Sequence, residues 1–204
     1  MSEFDDALAQ IAAIRSQMAR SVEFRGYGPA TIAVTGGLAV LAAVGQGYFL
    51  ADPAAHPLAY LGLWLGAAVV ANVLGGIEMV TRSRRIHATL ASEMLAMVVE
   101  QFMPSLAAGA LLALVLYVYA PGSLWMLPGL WQLCFALGLF ASCRFLPPGV
   151  FGIGVWYLAS GLFCLAFEQG DRAFSPWSMG LPFGLGQAAL AAILQWRLWG
   201  DNER

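Results

Sequence analysis

Residues 75–100 contain the one group of side chains whose types and spacing could carry chemistry. Glu78 lies four residues before Arg82 and seven before Arg85, so the three share a face of any continuous helix. Glu93 and Glu100, seven residues apart, share a face in the same way. We call the full set the charged rim: Glu78, Arg82, Arg84, Arg85, His87, Glu93 and Glu100.

Two interpretations of the charged rim are open. It could be an ion-paired helix edge, with the arginines facing a negatively charged membrane surface at ~1 kcal/mol each. Alternatively, it could be a ligand, proton or partner site, because carboxylates inside membrane segments tend to be functional. The depth of the carboxylates in the membrane decides between the two interpretations. Glu78 and Glu100 are expected near the edge of the apolar segments, which favours the ion-paired interface.

The rest of the chain offers little catalytic chemistry. His56 and His87 lie outside the apolar segments, and the sequence contains no HExxH, GxSxG or P-loop motif. Cys134, Cys143 and Cys164 have no CxxC spacing, which disfavours a zinc site. We therefore expect no catalytic residue, metal or cofactor. An enzyme would need a pocket where His87, Glu93 and Glu100 converge.

The composition places these residues in a membrane protein. Of 204 residues, 60% are hydrophobic and 11% charged, and the mean hydropathy is +0.72, too apolar for a soluble surface. A membrane helix needs about 20 apolar residues. Six such segments lie within a membrane domain at 27–199: 28–50, 58–80, 101–120, 124–143, 149–167 and 177–198. An all-α bundle of six transmembrane helices is predicted.

Arginine placement predicts the orientation of the bundle. If six helices alternate in direction, nine arginines fall on one side and Arg172 alone on the other. The positive-inside rule then puts both termini in the cytoplasm. The absence of lysine suggests a bacterial protein, and hence the bacterial inner membrane. The formal charge of −2 gives no reason to expect nucleic-acid binding, so membrane lipids are the expected surroundings.

The segments outside the membrane domain are short. Residues 1–26 form a predicted amphipathic helix, because Phe4, Leu8, Ile11 and Met18 recur at helical spacing. Such a helix lies on the inner leaflet, packs under the bundle, or docks a cytoplasmic partner or second subunit. Residues 200–204 are expected to be a cytoplasmic tail.

Small residues and prolines mark how the helices are expected to pack. Small residues recur every fourth position, which permits close helix contact in lipid. These stripes are Gly62 and Gly66; Ala67, Ala71 and Gly75; Ser105, Gly109 and Ala113; and Gly180 and Gly184. Pro104 and Pro182 lie inside the third and sixth segments and are expected to kink them, each releasing the carbonyl four residues earlier.

Few polar residues interrupt the apolar segments, and none carries a charge in the central layer. They are Gln46, Asn72, Gln132 and Gln187. The missing central charge disfavours a proton-coupled transporter. Trp64, with most other tryptophans, is expected at the membrane interface. Glu168, Asp171 and Arg172 are expected to form a solvated turn.

Several motifs together resemble a known group of proteins. The resemblance rests on IRSQMARSVEFRGYGPATIAVTGGLAVLAA, the arginine-rich second connector, MPSLAAGALLALVLY, LPGLWQLCFALGLFASCRFLPPG and PWSMGLPFGLGQ. With these segments the chain resembles an uncharacterised family of bacterial six-helix inner-membrane proteins. Some members of that family are encoded beside winged-helix regulators, which implies a membrane partner in a regulatory system. The resemblance supplies no catalytic residue.

Two functions follow as expectations. The first is a non-enzymatic inner-membrane subunit, acting as scaffold, accessory or regulatory protein, that presents the charged rim to a protein partner or to another copy of itself. The alternative is a small transporter or a lipid- or small-molecule-binding protein. Its cavity would lie near Glu100 and Pro104, with Glu100 as the ionisable group.

Overall fold

The described part of the chain is helical and contains no strand. A computed structural model describes residues 28–86, 89–143, 146–147 and 149–202. Its α-helices are α1 Pro29–Phe49, α2 Pro57–Ile86, α3 Thr89–Tyr119, α4 Leu127–Ser142, α5 Val150–Phe167 and α6 Pro176–Asn202. Two short 3-10 helices, Pro121–Met126 and Gly170–Phe174, precede α4 and α6. The predicted all-α class is confirmed.

All six α-helices supply segments long and apolar enough to cross a membrane, as predicted. The segments are Pro29–Phe49, Pro57–Glu78, Val99–Tyr119, Pro121–Ser142, Val150–Phe167 and Pro176–Trp196. The segment of α4 includes the 3-10 helix before it. The chain is therefore a multi-pass membrane protein.

Prolines mark where several of these elements begin. α1 starts at Pro29 after Gly28, whose backbone is extended with φ −75° and ψ 137°. α2, the first 3-10 helix and α6 likewise begin at Pro57, Pro121 and Pro176. Proline suits the first helical position because its fixed φ is already helical and its missing N–H would have no partner there. The sequence thus sets the starts of these helices locally.

The ends of α2 and α3 extend beyond the apolar segments. α2 continues to Ile86 and α3 begins at Thr89, so most of the connector expected between them is helical. α6 continues to Asn202, which makes the first three residues of the predicted tail helical as well. The predicted amphipathic helix at 1–26 and residues 203–204 lie outside the described residues.

Helix α1 packs most extensively on α6, and their contact is antiparallel. A Cβ atom added to Gly180 would lie 2.5 Å from the Cβ of Ala43, and one added to Gly184 would lie 2.8 Å from Val40 Cγ2. One added to Gly36 would lie 2.9 Å from the Cβ of Gln187. Glycine is therefore required for this close approach, as the small-residue stripe of α6 predicts.

Helices α4 and α5 form the second close pair. A Cβ on Gly161 would lie 2.8 Å from the backbone oxygen of Gly129, and a Cβ on Gly129 would meet the oxygen of Gly161 at the same distance. Near the other end of this pair, Gly154 makes room for the ring of Phe140. α3 packs on the outside of α4, with Gly109 against Trp131.

Helix α2 and the membrane segment of α3 are the least enclosed. Only 22% of the α2 segment and 11% of the α3 segment are buried, against 44% for the segment that includes α4 and 39% for α6. α2 packs modestly on α1 and less on α3. One side of the bundle is consequently much more open than the other within the described residues.

Candidate functional site

The charged rim lies at one end of the bundle, where α1 begins, α2 ends and α3 begins. We call it the inner end, because the arginines predict that it faces the cytoplasm. Glu78 is half-buried and is the last residue of the α2 membrane segment. Glu100 is exposed and is the second residue of the α3 segment. Both carboxylates thus lie at the edge of the apolar layer.

The positions of the remaining rim residues are known from the helical backbone alone. Arg82, Arg84 and Arg85 belong to the last turns of α2, and Glu93 to the first turns of α3. Because α2 is continuous to Ile86, Glu78, Arg82 and Arg85 do share one helical face. For the three arginines and Glu93 only the helical backbone is described, and His87 lies outside the described residues. Ion pairs between the acids and the arginines remain a prediction.

The two internal prolines differ in their surroundings. Pro104 is exposed and Pro182 is buried, and the α-helix continues through both positions. Exposed Pro104 and Glu100 are the residues that the transporter alternative places at a cavity. The carbonyl released by Pro182 is that of Ser178, and this carbonyl belongs to an internal polar site at the opposite end of the bundle, the outer end.

Gln46 joins three elements at the outer end. Its side chain is 1% exposed, although it lies in an apolar helix. Its Nε2 donates a hydrogen bond to the backbone oxygen of Phe174 at 2.6 Å. Its Oε1 accepts one from Trp64 Nε1 at 2.8 Å. α1, α2 and the 3-10 helix before α6 are therefore tied together by one amide with both of its polar atoms bonded.

Gln132 joins α4 to α5 and α6. Its side chain is fully buried, and its Nε2 donates to the backbone oxygen of Ser178 at 2.8 Å. The same nitrogen lies 3.5 Å from Cys164 Sγ, whose thiol is 3.8 Å from the Ser178 oxygen. Pro182 has no N–H to bond the carbonyl four residues before it. The Gln132 amide takes the place of that missing donor.

Several buried polar atoms near these glutamines have no hydrogen-bond partner among the described residues. They are Tyr60 Oη, Gln132 Oε1, Glu168 Oε2 and Ser178 Oγ. The Tyr60 ring packs edge-on against Phe174 at 5.0 Å between centroids. The backbone N–H of Glu168 donates to the backbone oxygen of Cys164 at 3.0 Å. We call this set the outer cluster: Gln46, Tyr60, Trp64, Gln132, Cys164, Glu168 and Ser178.

Two of these residues lie in other surroundings than the sequence predicts. Trp64 is expected at the interface but is 5% exposed and lies in the core, because its indole N–H bonds Gln46. Glu168 is expected in a solvated turn, yet one of its oxygens is buried. Asp171 and Arg172 are exposed, as that turn predicts. Two features of the sequence point to the outer cluster. Pro182 lies four residues after Ser178, and glutamines lie in apolar helices.

The described residues contain no group of three or more His, Cys, Asp or Glu side chains that could hold a metal ion. The outer cluster is instead built from amides, hydroxyls, a thiol and one carboxylate. These groups suit hydrogen bonding or the binding of a weakly charged species more than acid–base catalysis.

No family model, curated protein or solved structure matches this chain. The resemblance to inner-membrane proteins encoded beside winged-helix regulators therefore stays a prediction.

Proposed function

We propose that this protein is a non-enzymatic subunit of the bacterial inner membrane that binds another membrane protein through the outward face of α2 and presents the charged rim beside that contact. The observation that carries the proposal is a pair of glycines on α2, Gly62 and Gly66, at which an added Cβ would meet no described atom within 4 Å. The small-residue stripe Ala67, Ala71 and Gly75 of the same helix is partly or fully buried instead.

The outward face of α2 has the composition of a helix-binding surface. Residues at spacings of four and three are all exposed along it. They are Gly62, Gly66, Val69, Val73, Ile77 and Val80, and we call them the open face. Small-xxx-small pairs let two helix backbones approach closely in lipid, where van der Waals contact drives association. Glycine that faces only lipid would cost helix propensity, up to ~1 kcal/mol each, with no compensating contact.

Polar groups next to the open face support a protein partner over lipid alone. Asn72 is exposed within the membrane segment, and its Nδ2 donates to the Ala68 carbonyl of its own helix at 2.8 Å. An amide at such a position can hydrogen-bond to a neighbouring helix. Arg84 follows Val80 by four residues on the same helix, so the open face leads directly into the charged rim.

The transporter alternative receives less support. Glu100 and Pro104, which it places at a cavity, are both exposed on α3. The α3 segment is also the least buried of the six. These positions fit a surface that contacts lipid or protein better than the lining of an enclosed ligand site.

A leucine at Gly66 tests the proposal. Gly66→Leu should leave the chain folded, because the position has space, and should abolish association by holding the partner helix away. The measurement is photo-crosslinking in native membranes from a reactive residue at Val73, with the product identified by its mass. We expect one abundant adduct to a different protein, which the leucine removes.

The matched control is Gly152→Leu on α5. Gly152 is also exposed, with no described atom within 4 Å of an added Cβ. It should leave the Val73 adduct intact. Adducts to lipid alone would contradict the proposal, and an adduct to a second copy of this chain would replace the proposed partner with self-association.

A further inference from the structure

We propose that a groove between α1 and α6 at the outer end of the bundle binds one phospholipid whose headgroup carries both charges, as that of phosphatidylethanolamine does. One acyl chain lies in the groove, and the headgroup meets the connector that precedes α6. This site is separate from the open face of α2 and does not depend on the proposed association.

The groove lies where the end of α1 packs beside the start of α6. Its volume is about 340 Å³, within the range of small-molecule sites. The missing side chain at Gly47 leaves this space, because an added Cβ would already touch Pro176 Cγ at 3.8 Å. The residues that line the groove are Ala43, Val44, Gly47, Tyr48, Pro176 and Trp177.

The depth of the groove indicates a lipid as its occupant. The membrane segment of α1 ends at Phe49 and that of α6 begins at Pro176, so the groove lies at the edge of the apolar layer. Tyr48 is 82% exposed and Trp177 is 47% exposed. At this depth their rings suit acyl chains and their polar atoms suit headgroups. An occupant with an apolar chain and a polar head matches both.

The length of the groove also favours a lipid over a helix of another protein. Its lining residues on α1 fall within positions 43–48, which is fewer than two helical turns. Packed helices usually interlock rows of side chains over a longer stretch than this. Part of one acyl chain needs no more room, since a chain is narrow and flexible.

The connector before α6 supplies both charges that such a headgroup needs. Asp171 and Arg172 are adjacent, and both side chains are exposed. The Arg172 carbonyl accepts a hydrogen bond from the Ser175 N–H at 3.0 Å, which closes a turn directly before Pro176. The Cα atoms at the two ends of such a turn lie within ~7 Å, so Arg172 Cα is within about 11 Å of Pro176 Cα. Arginine binds phosphate, and a carboxylate binds an ammonium group.

The balance of charge at the outer end favours a headgroup without net charge. The three outer connectors are all described, and they contain Asp52, Glu168 and Asp171 against one arginine, Arg172. A headgroup with a single negative charge, such as phosphatidylglycerol, adds to this excess of negative charge. The ammonium group of phosphatidylethanolamine offsets it instead.

The experiment is photo-labelling of the full chain in vesicles made of equal parts of phosphatidylethanolamine and phosphatidylglycerol. Trace phosphatidylethanolamine carries a diazirine in one acyl chain, and the labelled peptides are identified by mass. We expect labelling at 43–48 and 176–177 to exceed at least several-fold that at Leu111 and Leu162, which are exposed on α3 and α5. Equal labelling at all of these positions would overturn the proposal, because it would report only the surrounding bilayer. Loss of groove labelling as the protein density rises would assign the groove to a second copy of the chain.

Two pairs of variants locate the lipid. Gly47→Leu fills the groove and should lower labelling at 176–177 at least several-fold. Gly37→Leu should retain it, because Gly37 is exposed on the same helix with no described atom within 4 Å of an added Cβ. If Gly47→Leu does not fold, Tyr48→Ala removes one wall of the groove and should act in the same way. Its control is Tyr119→Ala, at a tyrosine 81% exposed at the outer end of α3. Unchanged labelling in the folded Gly47 or Tyr48 variant contradicts the proposal.

A second probe tests the headgroup. Phosphatidylglycerol with the same photoreactive chain should label 176–177 several-fold less than the phosphatidylethanolamine probe. Asp171→Asn should remove most of this difference, because it removes the partner of the ammonium group, whereas Asp171→Glu keeps the charge and should retain it. Equal labelling by the two probes in the unmodified chain would overturn the assignment of the headgroup.

Discussion

The glycine pairs of α6 and α2 have the same spacing and opposite surroundings. Helix α1 packs directly on Gly180 and Gly184. A Cβ atom added to either glycine would lie within 2.8 Å of a side chain of α1. Gly62 and Gly66 have no described atom within 4 Å of such a Cβ. The same sequence pattern therefore forms a contact within the chain in one helix and, in the other, a surface that no described residue covers. A small-residue stripe indicates where a helix can be approached closely, and the rest of the fold determines what approaches it.

Alanine substitutions at the two stripes should have opposite effects on stability, and this is the largest difference we expect. Gly180→Ala forces a methyl group against Ala43 and should lower the free energy of unfolding by about 2 kcal/mol. Gly62→Ala meets open space and should raise it by up to ~1 kcal/mol through helix propensity. Denaturation of each variant in mild detergent measures both values. Equal effects at the two positions would show that α2 is as enclosed as α6.

Loss of a buried indole donor should have a smaller effect. Trp64→Phe removes the hydrogen bond to Gln46 Oε1 and should lower the free energy of unfolding by about 1 kcal/mol. Trp196→Phe is the matched control, because Trp196 is 81% exposed at the inner end of α6. The same denaturation assay compares the two, and a larger loss at Trp196 would contradict the assignment of Trp64 to the core.

The smallest effect on stability is expected on the open side. Asn72 bonds a carbonyl of its own helix, so Asn72→Leu should change the free energy of unfolding by less than ~0.5 kcal/mol. The same variant should weaken the Val73 photo-crosslink to the partner protein, because it removes an amide beside the open face. Unchanged crosslinking combined with altered stability would show that Asn72 acts within the bundle.

The membrane fold was predictable from the sequence because each helix carries its own signal. Six apolar segments bounded by prolines and short connectors indicate six spans without any knowledge of their neighbours. The edge position of Glu78 follows in the same way from the length of its segment. Properties that depend on one helix at a time can therefore be obtained from hydropathy and turn residues.

The outer cluster was less predictable because it depends on several helices at once. Gln46 and Asn72 are both polar residues in apolar segments, yet the first is buried and the second exposed. Nothing local distinguishes them, since burial depends on which helices pack at each position. Glu168 is likewise expected in a solvated turn, since nothing in the sequence of that connector indicates that one of its oxygens is buried.

The pairing of α1 with α6 has a consequence for biogenesis. α1 is made first of the six helices, but its glycine-bearing face is covered by the helix made last. The hydrogen bond of Gln132 also requires α6, because the Ser178 carbonyl that accepts it belongs to that helix. Through synthesis of α2 to α5, both surfaces face lipid or the insertion machinery. The sixth helix thus completes both contacts, and a nascent chain that has not reached Pro176 leaves them unmade.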